Sequence, residues 1–335
     1  MIKLKTQPYF QTKNGAMYLK DSLDLLKEMP DNSLDLIMTS PPFGLIKKKK
    51  YGNEDSTSYL DWFKPFATEF FRVLKPTGSL VIDIGGSWNK GTPTRSLYHF
   101  KLMIMLCEEF GFYLAQEFFW WNPSKLPTPA EWVNIRRVRV KDAVNTVWWL
   151  SKTPFPKASN NRVLLPYSKS MGNLFKNGYT PKLRPSGHNI SDKFSVNNGG
   201  SIPPNLLAIP NTESNDGYTK YCKEHNLTVH PARFPSELPE FFIRMLTNEK
   251  DIVFDPFGGS CVTGAVCESL NRKWICSELQ EEYLKGAIAR FSISNNRGTN
   301  NSCYTIHNPS AGWRGIPRDI ISDDGGKTRP KKLNN

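Results

Sequence analysis

The residues most able to do chemistry stand in one short segment, Ser40-Pro41-Pro42-Phe43, directly after an apolar run at residues 34–38. The run has the length and composition of a buried strand, and two consecutive prolines end its hydrogen-bonding ladder. Side chains after such a strand lie at the carboxyl edge of a sheet, where open α/β folds bind ligands. The Ser40 hydroxyl and the Pro41 carbonyl offer two acceptors, and Phe43 offers a flat apolar face. This set suits a planar heterocycle that carries an exocyclic amino group.

A second segment of this kind lies far along the chain, where Asp255-Pro256-Phe257-Gly258-Gly259-Ser260 follows an apolar run at residues 252–254. Glycines after a strand let the backbone approach a ligand closely, and a helix that begins there adds a positive dipole. A glycine turn alone is weak evidence, and this one lacks the Gly-x-Gly-x-x-Gly spacing of dinucleotide sites. The next predicted strand, residues 274–278, ends in Glu278, and a carboxylate at such a position can bind both hydroxyls of a ribose.

Asp83 lies near the end of a further predicted strand, residues 79–86, with two glycines after it. One interpretation is a structural carboxylate held in a salt bridge. The other is an active-site role in which Asp83 receives a proton, directly or through Ser40. The sequence leaves both interpretations open.

The chain of 335 residues carries a net charge of +13 and a pI of about 9.4, which favours a polyanionic partner over a merely solvated basic surface. Its hydrophobic content of 39% is enough for one large domain or two modest ones. The four consecutive lysines at residues 47–50 cannot be buried, so they indicate either phosphate contacts or a solvated loop. The basic clusters contain Lys47, Lys48, Lys49 and Lys50, and further along Arg136 and Arg137.

The six cysteines include no Cys-x-x-Cys pair, so the sequence predicts no metal site. No signal peptide or membrane span is visible, and a reducing cytoplasm is the expected location. Residues 152–229 are rich in Pro, Asn, Gly, Ser and Lys, yet apolar residues recur through them. This pattern favours an ordered, loop-rich region over a floppy linker. Lys182, Arg184 and His188 supply donors there that can contact DNA bases.

Hydrophobic periodicity predicts the elements that must position these segments. The predicted strands are residues 17–19, 34–38, 79–86, 118–121, 146–150, 252–254 and 274–278. The predicted helices are residues 23–29, 59–74, 98–110 and 238–246, and residues 76–78 are expected to end the second of them.

Ser-Pro-Pro-Phe after a strand resembles the catalytic motif of the amino-group DNA methyltransferases. Its serine form is typical of enzymes that methylate the N4 amine of cytosine, whereas adenine N6 enzymes more often carry Asp-Pro-Pro-Tyr. Asp255-Pro256-Phe257 resembles the cofactor motif of the family, with Cys261 where the family usually has a second glycine. Catalytic motif, recognition region and cofactor motif stand in the circularly permuted order of the beta group, and the resemblance covers roughly residues 14–290.

The resemblance implies an α/β fold with the Rossmann-like sheet of the S-adenosylmethionine-dependent methyltransferases. Its motif order would be permuted, and a loop-rich recognition region would be inserted. One three-layer sheet can then be assembled from both ends of the chain. The implied divisions are a catalytic half at 1–151, a target-recognition region at 152–229, a cofactor-binding half at 230–290 and a basic, poorly ordered tail at 291–335.

Site residues can be assigned on the same resemblance. The predicted catalytic residues are Ser40, Pro41, Pro42, Phe43 and Asp83. The predicted residues for S-adenosylmethionine are Asp21, Ser22, His230, Pro231, Phe234, Asp255, Phe257, Gly259, Ser260 and Glu278. For Asp21, simple capping of a helix is an equal alternative. The predicted DNA contacts are Lys47, Lys48, Lys49, Lys50, Arg136, Arg137, Lys182, Arg184 and His188.

The implied function is methyl transfer from S-adenosylmethionine to the N4 amine of a cytosine flipped out of a specific double-stranded DNA site. Similarity through residues 162–222 to the recognition region of one family member suggests the palindrome CAGCTG, with its inner cytosine modified. The enzyme would act as a monomer and protect DNA beside a companion restriction endonuclease. Two alternatives stay open: an adenine N6 methyltransferase, and a non-catalytic DNA-binding module that keeps the fold.

Overall fold

The apolar run before Ser40 forms strand β3, Leu34–Thr39, in which every residue is buried. The computed structural model describes residues 2–45, 54–178, 196–212 and 216–292. Within these residues β3 lies near the middle of a nine-stranded sheet, between β8, Ile252–Asp255, and β4, Leu74–Ile84. The strand that leads into the Ser-Pro-Pro-Phe segment is therefore paired on both sides, with the next strand along the chain and with a strand from the distant second segment.

Most of the sheet is parallel. The other strands are β1 (Phe10–Gln11), β2 (Gly15–Leu19), β5 (Tyr113–Trp121), β6 (Val144–Ser151), β7 (Leu206–Ala208) and β9 (Lys273–Glu278). Their order in the sheet is β1-β2-β9-β8-β3-β4-β6-β5-β7. Only β1 and β6 run antiparallel to their neighbours within this described sheet. The carboxyl ends of β3, β4, β8 and β9 therefore meet at one edge.

Helices cover both faces of the sheet, which makes a three-layer α/β arrangement. The helices are α1 (Ser22–Leu26), α2 (Tyr59–Val73), α3 (Tyr98–Glu108), α4 (Lys169–Asn177), α5 (Gly217–Glu224), α6 (Glu237–Leu246), α7 (Val262–Ser269), α8 (Glu281–Ala287) and α9 (Ala289–Ser292). Ile37 of β3 packs in one core cluster with Leu25 of α1, Phe63 of α2 and Leu102 of α3. Its neighbour Leu36 belongs to the opposite cluster, which includes side chains of α6, α7 and α8.

Strand β4 begins earlier than the sequence predicts. The expected helix end at residues 76–78 is wrong, because α2 ends at Val73 and β4 follows at once. Pairing between β3 and β4 shifts register between Leu34 and Leu36, so residues 76–78 lie in an irregular, bulged stretch. A bulge leaves ladder positions unpaired, which is why Pro76 is tolerated inside a strand.

The region predicted to recognise the target contributes to this same sheet where the structure describes it. Strand β7 pairs with β5 at the edge of the sheet, with Leu207 opposite Trp120. Helix α5 packs against α8 and α9. Several predicted positions lie outside the described residues, namely Lys47, Lys48, Lys49, Lys50, Lys182, Arg184, His188 and the tail after residue 292.

No helix in the described parts of the chain is long and apolar enough to cross a membrane. The same residues contain no group of three or more His, Cys, Asp or Glu side chains arranged to hold a metal ion. Free thiols occur at Cys107, Cys222, Cys261, Cys267 and Cys276.

Candidate active site

A cavity of about 480 Å³ opens where the carboxyl ends of the parallel strands meet. The turns after β3, β8 and β9 and the end of β4 line it. Every residue that the sequence assigns to catalysis or to the cofactor is among its lining residues: Asp21, Ser22, Ser40, Pro41, Pro42, Phe43, Asp83, His230, Pro231, Phe234, Asp255, Phe257, Gly259, Ser260 and Glu278. Residues that are far apart along the chain therefore share one cavity.

Ser40 and Asp83 form a hydrogen-bonded pair in this cavity. The Ser40 hydroxyl donates to Asp83 Oδ2 at 3.0 Å, and Asn145 Nδ2 donates to Asp83 Oδ1 at 3.2 Å. Burial raises the pKa of the Asp83 carboxyl to about 6, although the hydrogen bonds from Asn145 and Ser40 act in the opposite direction. Its hydrogen-bonding partners are neutral side chains, which argues against the salt-bridge interpretation. A carboxylate of this kind can take up a proton near neutral pH.

The two glycines after Asp83 make room for neighbouring side chains. An ideal Cβ built on Gly85 would lie 2.5 Å from Cε2 of Phe43, so the aromatic ring packs directly on bare backbone. A Cβ on Gly86 would lie 1.5 Å from Nη2 of Arg95. Any larger residue at position 85 would displace the ring that we expect to stack on the substrate.

Asp255 connects the second segment to the first. Its carboxylate accepts hydrogen bonds from Thr39 Oγ1 at 2.9 Å, Thr263 Oγ1 at 2.6 Å and the Phe257 N–H at 3.1 Å. Burial raises the pKa of Asp255 to about 6, against the effect of these hydrogen bonds. Thr39 is the last residue of β3, so one buried carboxylate ties the catalytic turn to the glycine turn.

Glu278 organises the glycine turn from the end of β9. Its carboxylate accepts hydrogen bonds from the backbone N–H groups of Gly259 at 2.9 Å, Leu279 at 2.8 Å and Gln280 at 2.9 Å. Burial raises the pKa of Glu278, while these three N–H groups favour its ionised form. Cys261, at the family's glycine position, is buried and adopts a φ of +55°, the left-handed region that favours glycine. The cysteine therefore keeps the backbone geometry that a glycine would have.

Aromatic side chains form another part of the cavity lining. Phe257 packs against Trp62 and Phe66 of α2, with ring centroids 5.8 Å and 5.2 Å apart.

The Asp21 carboxylate accepts hydrogen bonds from the N–H groups of Leu23 and Asp24 and so caps α1, as one interpretation expects. Asp21 also lines the cavity. On the same helix, Ser22 Oγ donates to the carbonyl of Pro256.

The His230 segment closes another side of the cavity. The His230 N–H donates to the Tyr218 hydroxyl at 3.0 Å. Burial lowers the pKa of the His230 imidazole to about 4, and the nearby Arg233 guanidinium adds to the effect. His230 is therefore neutral at physiological pH and brings no positive charge to this wall.

The predicted DNA contacts Arg136 and Arg137 lie outside the cavity, on the loop that joins β5 to β6. Both arginines are exposed, and Arg136 also forms a 2.7 Å salt bridge with Glu131 and lies over the Trp132 ring. The base of this loop reaches the cavity, since Lys125 is one of its lining residues. The loop thus runs from the cavity to an exposed basic surface.

Sequence reasoning missed several lining residues. Asn145 has no local signal, because it reaches Asp83 only through the pairing of β6 with β4. Trp62 and Phe66 stand on a helix face that reads simply as core. Further lining residues that the sequence did not assign to the site include Trp120, Asn122, Lys125 and Asn211.

Comparison with known proteins agrees with this arrangement. A family of N6 and N4 enzymes, described as DNA methylase, matches residues 34–290. The chain therefore belongs to this DNA methylase family. The predicted family, α/β methyltransferase fold and enzyme class are confirmed.

Individual relatives share most of their length with this chain. It is 54% identical to the Type II methyltransferase M.PvuII of Proteus hauseri over 298 residues, which are 88% of this chain and 89% of that protein. The solved structure of PvuII DNA methyltransferase (cytosine-N4-specific) has a TM-score of 0.71 at 46% identity and covers 90% of this chain and 92% of its own. A putative DNA modification methylase of Thermus thermophilus, solved with S-adenosyl-L-methionine, shares the fold with a TM-score of 0.54, at 20% identity over 84% of this chain and 95% of that one.

Replacing Asp83 with Asn should change how stability depends on pH. A carboxyl with a folded pKa of about 6 and an unfolded pKa of about 3.9 binds more protons in the folded state. Its contribution to stability therefore falls as the pH rises through this window. Relative to Asp83→Asn, the wild type should lose about 2 kcal/mol of unfolding free energy between about pH 4 and pH 7.

Urea denaturation followed by circular dichroism across this pH range measures the difference between the two proteins. Other carboxyls, Asp255 included, titrate in both proteins and cancel. A difference that stays constant with pH would show that the Asp83 carboxyl has an ordinary pKa.

Proposed function

We propose that this enzyme transfers a methyl group from S-adenosyl-L-methionine to the N4 amine of a cytosine flipped out of a specific double-stranded DNA site. The observation that carries the proposal is the Ser40–Asp83 pair, which shares one cavity with the acidic and aromatic residues of the second segment. An acceptor coupled to a buried carboxylate suits the removal of a proton from an amine. Similarity to an enzyme described as cytosine-N4-specific supports this choice of target amine.

The walls of the cavity fit S-adenosyl-L-methionine chemically. Trp62, Phe66 and Phe257 offer apolar faces to the adenine ring. The Glu278 carboxylate would accept hydrogen bonds from the ribose hydroxyls, and residues 230–234 would hold the methionine end. The bound cofactor supplies a methyl group on a positively charged sulfur, which makes that methyl electrophilic.

The catalytic turn would hold the target amine. Because the Ser40 hydroxyl donates its own hydrogen to Asp83, its lone pairs are free to accept a hydrogen of the amine. The Pro41 carbonyl is the second acceptor, for the other amine hydrogen. Two acceptors that hold the two amine hydrogens would favour a tetrahedral nitrogen, and the Phe43 ring would stack on the base. The residues thus orient a poor nucleophile for in-line attack.

The same pair provides a path for the proton that methylation releases. The proton on the amine passes to Ser40 Oγ as the hydroxyl hydrogen of Ser40 passes to the Asp83 carboxylate. The raised pKa of Asp83, to about 6, brings its proton affinity close to the working pH and makes this transfer efficient. Asn145 keeps its hydrogen bond to the second carboxylate oxygen and holds the group in place.

The target base has to leave the DNA helix to enter this cavity. A base inside a duplex cannot reach the cavity, so the target cytosine must be flipped, at a cost of a few kcal/mol. The net charge of +13 favours binding to the phosphate backbone. The proposed DNA contacts are Lys47, Lys48, Lys49, Lys50, Arg136, Arg137, Lys182, Arg184 and His188.

We further propose CAGCTG as the target, with the inner cytosine methylated, in a protective role beside a companion endonuclease. The support is the 54% identity to M.PvuII, over an alignment that extends through the region inserted between the two halves.

DNA from cells that express the protein should resist a nuclease that cuts this palindrome, and nucleoside mass spectrometry should find N4-methylcytosine. Full cleavage with N4-methylcytosine present would refute the target alone. N6-methyladenine without N4-methylcytosine would refute the reaction, and no methylated product would leave a non-catalytic DNA-binding protein.

Replacing Ser40 with Ala should slow methyl transfer while leaving cofactor and DNA binding largely intact. The variant loses one acceptor for the amine and the relay to Asp83, so the rate constant should fall by more than about tenfold, or about 1.4 kcal/mol. Single-turnover transfer of labelled methyl groups measures this rate.

Ser33→Ala is the matched control, because Ser33 precedes the same strand at its opposite end and donates to the Pro30 carbonyl. It should retain the wild-type rate. Equal rates for Ser40→Ala and the wild type would remove Ser40 from the mechanism.

Replacing Glu278 with Ala should weaken binding of S-adenosyl-L-methionine by at least about tenfold, because a charge-assisted contact to the ribose is lost. Isothermal titration calorimetry measures the affinity, and circular dichroism checks the fold. Glu224→Ala makes the same change in net charge at an exposed position of α5 and should bind normally. Unchanged affinity in Glu278→Ala would contradict the assignment.

A further inference from the structure

Tyr98, the first residue of α3, joins the two chain segments that carry the catalytic pair. Its side chain is buried, with 2% of its surface exposed. Its hydroxyl donates to the carbonyl of Gly85, two residues after Asp83. The backbone N–H of Gly44, directly after Phe43, lies near the same hydroxyl and lowers the pKa of Tyr98, against the larger effect of burial. One oxygen atom therefore bridges the end of the catalytic turn and the residues that follow β4.

Aromatic rings and backbone are packed closely around this bridge. An ideal Cβ on Gly44 would lie 3.0 Å from Cδ2 and Cε2 of the Tyr98 ring. On the other side of the bridge, the Phe43 ring packs against Gly85. Both glycines thus let an aromatic ring lie against backbone, and each ring spans the two segments. Packing of this density transmits displacement and does not absorb it.

The bridge limits how far Ser40 and Asp83 can move apart. Their 3.0 Å hydrogen bond joins the beginning of the catalytic turn to β4, and Tyr98 joins the end of that turn to the residue after the same strand. Without the second connection, only the Ser40–Asp83 hydrogen bond and the packing of Phe43 on Gly85 would hold the turn to β4 and the residues after it. A turn fixed at both ends keeps its two acceptors in a constant position relative to the carboxylate.

We propose that Tyr98 is a positioning residue for methyl transfer, whose hydroxyl holds the catalytic turn against the end of β4. This inference rests on the proposed function. Tyr98 does not line the cavity, so it acts through Ser40, Phe43 and Asp83 and not on the substrate. Its loss lowers the rate of the chemical step more than it lowers cofactor affinity, because the cofactor walls are built by other segments.

Tyr59 of α2 provides a matched control beside it. Its ring centroid lies 4.8 Å from that of Tyr98 in an edge-to-face arrangement, and its side chain is fully buried. Among the described residues its hydroxyl has no hydrogen-bond partner. Tyr59→Phe and Tyr98→Phe therefore remove the same atom from adjacent buried rings, but only the second breaks the bridge.

The test compares single-turnover methyl transfer by wild type, Tyr98→Phe and Tyr59→Phe. Genomic DNA free of amino methylation and labelled S-adenosyl-L-methionine are both saturating, at a temperature well below every unfolding midpoint. Tyr98→Phe should lower the rate by about tenfold while its calorimetric affinity for the cofactor stays within about twofold, because loss of alignment affects the reaction and not binding. Tyr59→Phe should keep the wild-type rate.

A second variant keeps the inference testable if Tyr98→Phe folds poorly. Gly44→Ala places a methyl group against the Tyr98 ring from the side of the turn and should likewise slow transfer without loss of cofactor affinity. A wild-type rate for folded Tyr98→Phe, or an equal loss in Tyr59→Phe, would overturn the positioning role while leaving the proposed function intact. A wild type that transfers no methyl group would overturn the proposed function, and this inference with it.

Discussion

The position of β3 between β4 and β8 is the constraint on which the rest of the site depends. Leu36 pairs with Ser79 on one side and with Val253 on the other, both in parallel. Because parallel strands end at the same edge, the turns after β3 and β8 become neighbours although more than half the chain separates them. The hydrogen bond from Thr39 to Asp255 then fixes the two turns to each other. Segments in this order along the chain can therefore still build one cavity.

Asp83 and Asp255 are both buried at this edge of the sheet, and burial raises the pKa of each to about 6. They differ in their hydrogen-bonding partners. Asp255 is enclosed by two threonine hydroxyls and a backbone N–H, and it holds the turns together. Asp83 accepts a hydrogen bond from Ser40, which lines the cavity, and we propose that this pair takes up the proton of the substrate amine. The burial that raises the pKa of Asp83 also makes its ionised form costly, so it lowers the stability of the fold at neutral pH.

The sequence alone predicts the parts of this site that are encoded locally. Each of the segments at residues 40–43 and 255–260, and also Glu278, follows an apolar run, so its place at a strand end could be predicted without knowing its neighbours. Asn145 could not be predicted, because it meets Asp83 only through the register of an antiparallel pair set by packing across the sheet. Burial patterns also cannot separate a core aromatic from one that lines a cavity, which is why the wall formed by α2 was missed. The role that we propose for Tyr98 could not be predicted either, because it depends on a contact between its side chain and the backbone of another segment.

A structure of the enzyme with the demethylated cofactor product and a duplex that contains its target would test the proposed mechanism directly. We expect a cytosine rotated out of the helix, with N4 within hydrogen-bonding distance of Ser40 Oγ and the Pro41 carbonyl oxygen, and with its ring stacked on Phe43. The product should lie in the same cavity, against Phe257 and Glu278. A target base that remains stacked in the duplex, or a flipped base whose N4 lies away from Ser40, would refute the role proposed for the catalytic turn.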